Sequence, residues 1–206
     1  MESPVMRYLL LIFIATIFPL TALAIEAPTS QVRINADKIL RGNFEEVHQI
    51  RGTDTPVITS GTFVVAPAQG LIWNIVHPFP TSTIITPNNA AQVVGGLVVK
   101  LPVKNLRHLY EMVGGALAGD WSKLETDYVI KRSSTATGWQ MLLTPRHTKA
   151  PILPYTVITI SGTRFVENII MTNPDGRTDE LTFTNNELST PPLATKETTL
   201  FNKIRA

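Results

Sequence analysis

Ser60–Pro87, SGTFVVAPAQGLIWNIVHPFPTSTIITP, constrains the fold more than any other stretch, because it reads as three short strands joined by Pro/Gly turns. Alternation along those strands puts Phe63, Val65, Leu71, Trp73, Ile75 and Ile85 on one face. No catalytic residue type interrupts that face. Strands this close in sequence pair as antiparallel neighbours, and a sheet with a wide apolar face has to hide it.

The rest of the chain supplies both more sheet and a cover. Asn43–Ile50 is strand-like, and Gln92–Val99 reads as one strand bent or bulged at Gly95-Gly96. Further strands are expected at Leu124–Lys131, Trp139–Thr144, Val157–Gly162, Phe165–Thr172 and Glu180–Asn185. Asn173-Pro174-Asp175-Gly176 and Gly138 mark hairpin turns. The period changes after Pro102, where Val103, Leu106, Leu109, Tyr110, Val113 and Leu117 recur at helical steps until Gly114-Gly115 and Gly119 weaken the pattern. Shorter helices are expected at Gln31–Leu40, capped by Thr29 or Ser30, and around Lys196–Ile204. The fold class that follows is α+β, mainly β: about ten to eleven antiparallel strands, with the mid-chain helix as a cover.

The N-terminus reads as an export signal. Arg7 precedes an apolar core at Tyr8–Leu20, and Ala22-Leu23-Ala24 offers a small–x–small cleavage pattern. That core is shorter than the ~20 residues a spanning helix needs. The expectation is a cleaved segment 1–24 and a single soluble, exported domain, 25–206. With no cysteine in the chain, there is no residue after the signal to carry a bacterial lipoprotein's lipid anchor. The net charge of +2 is spread without a Lys/Arg run, so nucleic acid is not an expected partner.

Candidate chemistry is sparse. His48, His77, His108 and His147 lie far apart, with no pair at metal-ligand spacing, and no serine sits in a G-x-S-x-G elbow. Asp120 after Gly119 fits a helix-exit turn. The expectation is a protein that is not an enzyme and needs no metal or cofactor. For any one aromatic an ordinary core position is the plain reading, but Trp73 and Trp139, grouped with Met112 and Met141, also suit an adaptable apolar lining.

An ordered set of short motifs resembles the LolA-type periplasmic carriers of outer-membrane lipoproteins. It runs Arg41-Gly42-Asn43-Phe44, Ser60-Gly61-Thr62-Phe63, Gly70-Leu71-Ile72-Trp73, Pro78-Phe79 and Ile84-Ile85-Thr86. It continues through Gly119-Asp120 with Leu124, Trp139 with Leu143-Thr144-Pro145, Ile160-Ser161-Gly162, and Asp175-Gly176 before Leu181-Thr182-Phe183. The resemblance covers roughly residues 31 to 186. It implies an unclosed antiparallel β-barrel, LolA/LolB-like, under a helical lid that encloses a hydrophobic cavity. It further implies acylated lipoproteins as cargo, an inner-membrane ABC-type release complex as donor, and an outer-membrane lipoprotein as acceptor. Two positions depart from the pattern: Ala66 stands where such carriers have an arginine thought to latch the lid, and Glu46 where they often have glutamine. The departures leave open a carrier of another lipid, such as a glycolipid or an aryl-polyene-like acyl product.

On this reading a monomer is expected, with a cavity lined by Phe63, Val65, Trp73, Ile75, Ile85, Leu106, Leu109, Val113 and Met141, and with Pro102, Gly114 and Gly115 as lid hinges. Strand parity selects most of the lining, so a bulge would turn some of these side chains outward.

Overall fold

The computed structural model describes residues 32–102, 108, 110–146 and 153–204. The signal segment, Leu106, Leu109 and the caps Thr29 and Ser30 therefore lie outside the described residues. Eleven strands form one antiparallel sheet. They are β1 (Ile39–His48), β2 (Val57–Ala66), β3 (Gly70–His77), β4 (Thr81–Ile85), β5 (Ala90–Val94) and β6 (Leu97–Leu101). After the helical segment come β7 (Tyr128–Ser134), β8 (Trp139–Pro145), β9 (Val157–Gly162), β10 (Val166–Thr172) and β11 (Thr178–Ser189).

Spatial order is β6-β5-β4-β3-β2-β1-β11-β10-β9-β8-β7. The chain starts at the centre of the sheet, winds out to one edge, and winds back in from the other. Edge strands β6 and β7 are not paired with each other, so the barrel is unclosed. The segment joining them must travel from one edge to the other, and it does so across one face. Its described part is a π-helical turn, Tyr110–Gly114, continuing into α1 (Gly115–Ala118), followed by α2 (Leu124–Asp127).

The sheet curls around that covered face. Trp73 of β3 and Phe183 of β11 lie three strands apart, about 14 Å on a flat sheet, yet their ring centroids are 6.2 Å apart. Phe44 stacks on Trp73 at 3.8 Å, and Phe63 meets Phe183 edge-on at 5.5 Å. Met112, Ala116 and Leu117 of the crossing segment close over this cluster and are fully buried. Gly42 makes the curl possible at β1: a Cβ there would stand 2.7 Å from the Phe63 ring, and the β1–β11 register shifts at the same point.

The opposite face has its own smaller core, Ile39, Val64, Ala66, Ile72, Ile84 and Ala91, capped by Phe201 and Ile204. Helix α3 (Thr195–Lys203) supplies that cap. It is pinned by Arg41, whose Nε and Nη2 donate to the two oxygens of Glu197, each at 2.6 Å.

Three expectations are corrected. Gln92–Val99 is two strands, because Gly95 and Gly96 both have positive φ, 56° and 87°, which makes a two-residue hairpin turn between Val94 and Leu97. No helix occupies the described part of Gln31–Leu40. Val32 and Ile34 instead donate their amides to Arg164 and Ala118, at 3.0 and 2.8 Å, and Ile39 already belongs to β1. Tertiary hydrogen bonds there replace the local ones a helix would make. Leu124–Asp127 is a helical turn instead of the start of a strand. The Asp120 carboxylate accepts from the Ser122 amide and hydroxyl at 3.2 and 2.7 Å, which sets that turn up.

Candidate functional site

Strand alternation brings side chains from five elements under the crossing segment. In the β3–β4 pairing Leu71 stands opposite Ile85 and Trp73 opposite Thr83, all on the covered face. The β1–β11 pairing sets His48 opposite Asp179 and Glu46 opposite Leu181. Tyr110 and Val113 come down from the π-helical turn. Except for Asp179, which lies behind the wall, these groups line a cavity of about 340 Å³ together with Met171 and Tyr155. A second cavity of about 430 Å³ adjoins it, between the helical segment and the β2–β3 and β4–β5 turns. Ile85 and Tyr110 face both, and Val65 lies on the wall of the second. The position of Tyr110 depends on Gly114, since a Cβ at residue 114 would lie 3.1 Å from its ring.

Trp73, Ile85 and Val113 thus meet on one cavity, and Val65 and Ile85 on the next. Phe63 and Met141, each 1% exposed, lie within the packed core and line neither. Ile75 packs against that core and also lines neither. Gly114 and Gly115 sit in continuous helical backbone beside the second cavity, and Pro102 is exposed just beyond β6. Ala66 belongs to the opposite face, under α3.

The polar groups on the first cavity, Glu46, His48 and Tyr155, and the Asp179 carboxylate behind them, are ones the sequence reading did not select. Asp179 is 2% exposed and accepts the Tyr155 hydroxyl at 3.0 Å. Its other oxygen, Oδ1, lies 2.7 Å from His48 Nδ1, a close approach without hydrogen-bond geometry. Burial, followed by the hydrogen bond to Asp179, pushes the Tyr155 hydroxyl far above the ordinary tyrosine range. Burial also raises the Glu46 carboxyl, against the opposing hydrogen bond from Thr59 Oγ1 at 3.2 Å. The available signal was parity: Phe44, Glu46 and His48 follow one another at two-residue steps on β1. Among the described residues no three His, Asp or Glu side chains converge as metal ligands. The arrangement can shelter hydrocarbon and offer a few hydrogen bonds beside it.

No protein-family model matches the chain, and no curated protein does. Solved structures are similar to it at low identity. A LolA superfamily protein from Nitrosomonas europaea aligns at 10% identity and TM-score 0.40, over 80% of this chain and 91% of that one. A putative outer membrane lipoprotein-sorting protein domain from Vibrio parahaemolyticus aligns at 8% identity and TM-score 0.42, over 83% and 92%. The Pseudomonas aeruginosa MucA/MucB complex aligns at 16% identity and TM-score 0.45, over 79% of this chain and 56% of that one. Among the described residues no helix is long and apolar enough to cross a membrane.

Proposed function

We propose that this chain is a carrier that shelters the acyl chain of a lipidated molecule between the curled sheet and its crossing helical segment. The observation that carries the reading is the pair of adjoining cavities, about 340 and 430 Å³, that share Ile85 and Tyr110 beneath that segment. Both volumes fall within the ~300–1,000 Å³ of small-molecule sites. The need for such a site is quantitative: at ~0.8 kcal/mol per methylene, a sixteen-carbon tail costs about 12 kcal/mol to expose to water. A carrier must offset most of that and still release its load, which suits a pocket closed by a short segment better than a sealed core.

The resemblance read from the motifs extends this to a periplasmic route. In it the soluble monomer takes acylated lipoproteins from an inner-membrane ABC-type complex and hands them to an outer-membrane acceptor. A second reading, transport of a different lipid without lipoprotein cargo, is favoured by the polar wall of Glu46, His48 and Tyr155. Titration with a fluorescent long-chain acyl probe tests the shared core of both. Saturable binding is expected in the natural chain, with at least a tenfold loss in Trp73→Asp. A folded Trp73→Asp variant that binds as before would overturn the assignment of the site. Mass spectrometry of lipids and proteins copurifying from the native compartment separates the two cargoes.

A further inference from the structure

The first cavity has walls of two kinds. Trp73, Ile85 and Val113 make an apolar side, while Glu46, His48 and Tyr155 make a polar one. The polar side is partly committed. The Tyr155 hydroxyl donates to Asp179, His48 Nδ1 stands 2.7 Å from the same carboxylate, and Thr59 donates to Oε2 of Glu46. Among the described residues nothing donates to Oε1 of Glu46. Among the described residues no lysine or arginine lines this cavity, and its carboxylates are Glu46 on the wall and Asp179 directly behind His48 and Tyr155.

A ligand head placed against this wall meets the free Oε1 of Glu46 and, among the described residues, no lysine or arginine. In a partly buried site an added anion would suffer repulsion that bulk water would screen. Burial disfavours the ionised Glu46 carboxyl there, outweighing the hydrogen bond from Thr59 and the nearby His48 that favour it. A hydroxyl or amine hydrogen has the opposite effect, since it satisfies Oε1 and adds no negative charge.

We propose that this cavity selects amphiphiles whose head group is a hydrogen-bond donor without negative charge, such as an acylglycerol hydroxyl, and discriminates against lipids headed by a carboxylate or phosphate. The proposal deepens the acyl-carrier reading and rests on it. The tail lies against Trp73, Ile85 and Val113, and the head donates to Glu46.

The test is displacement of an uncharged naphthylamine dye from the full chain at pH 7.5, by probes with the same sixteen-carbon tail below their aggregation thresholds. Monopalmitoylglycerol and hexadecylamine should displace it at concentrations at least tenfold lower than palmitate or palmitoyl lysophosphatidic acid. Glu46→Gln should narrow that gap to about threefold or less, with palmitate gaining and hexadecylamine losing. Equal displacement by all four probes would overturn the head-group selection and leave the carrier reading standing. A gap unchanged in folded Glu46→Gln would overturn it as well. Should neither dye nor probe bind, the carrier reading itself fails and this inference with it. If Glu46→Gln does not fold, the ranking on the natural chain and on Tyr155→Phe decides: a ranking led by either anion counts against the proposal.

Discussion

Two aromatic residues on the same sheet face have different jobs, and a pair of substitutions separates them. Phe63 is 1% exposed, flanked by Phe183 and lying over Gly42, whereas Trp73 is half-buried at a cavity wall. Truncating a fully packed aromatic removes its transfer energy and leaves a void, about 3–5 kcal/mol in all. Phe63→Ala should therefore lower the stability measured by urea titration by that amount. Trp73→Ala should cost less than half as much and yet weaken acyl-probe binding more than Phe63→Leu does. The reverse ordering would show that the cavity wall has been placed on the wrong residue. Alternation along β2, β3 and β4 was enough to read the shared face from the sequence. It was not enough to tell wall from core, because that depends on which strand curls over to meet each side chain. Glu46 and His48 obey the same parity, but a polar residue in a strand reads as solvent-facing until its partner, here Asp179, is known.

At the scale of elements, α3 is held on the outer face by few contacts. Phe201 and Ile204 bury apolar surface, and the Arg41–Glu197 pair fixes the helix over β1. Burial opposes ionisation of Glu197, but hydrogen bonds from Arg41 and the Ala194 amide prevail, and its carboxyl lies below the ordinary glutamate range. A depressed carboxyl stabilises the fold above its unfolded value of 4.5, and that contribution is lost as pH falls through the lower folded value. Glu197→Gln should reduce stability at pH 7 by about 1–3 kcal/mol and flatten the fall below pH 4.5. Thermal melts across that range check it, and an unchanged slope would mean that the pair contributes nothing to docking. The helix itself was legible from the sequence, with its start within a residue of Lys196, because its apolar spacing is local. The β5–β6 hairpin was misread because Gly95-Gly96 fits a bulge as well as a turn. Only the positive φ at both residues distinguishes the two. The Gln31–Leu40 segment failed for a different reason, since its amide partners lie on Ala118 and Arg164, far away in sequence.

The order of the strands has a consequence for the molecule as a whole. A chain that reaches one edge at β6 and resumes at the other edge with β7 has to lay the intervening segment over the open side. That segment is held by burial, since helical pieces of four and five residues have no stability of their own. We predict that it lifts as a unit while the eleven-stranded ladder stays intact. The absence of native cysteine makes this measurable. Val113 is 4% exposed and faces the first cavity. The thiol in Val113→Cys is shielded from reagent while the segment is down and reachable when it lifts. Maleimide labelling of Val113→Cys should run at least a hundredfold slower than in the exposed control Leu97→Cys. A saturating acyl ligand should slow it a further tenfold or more, because a ligand that contacts the segment favours the closed form by its differential affinity. Labelling as fast as the control would mean that nothing covers the cavity in solution. Labelling that ligand leaves unchanged would mean that loading does not pass beneath the crossing segment.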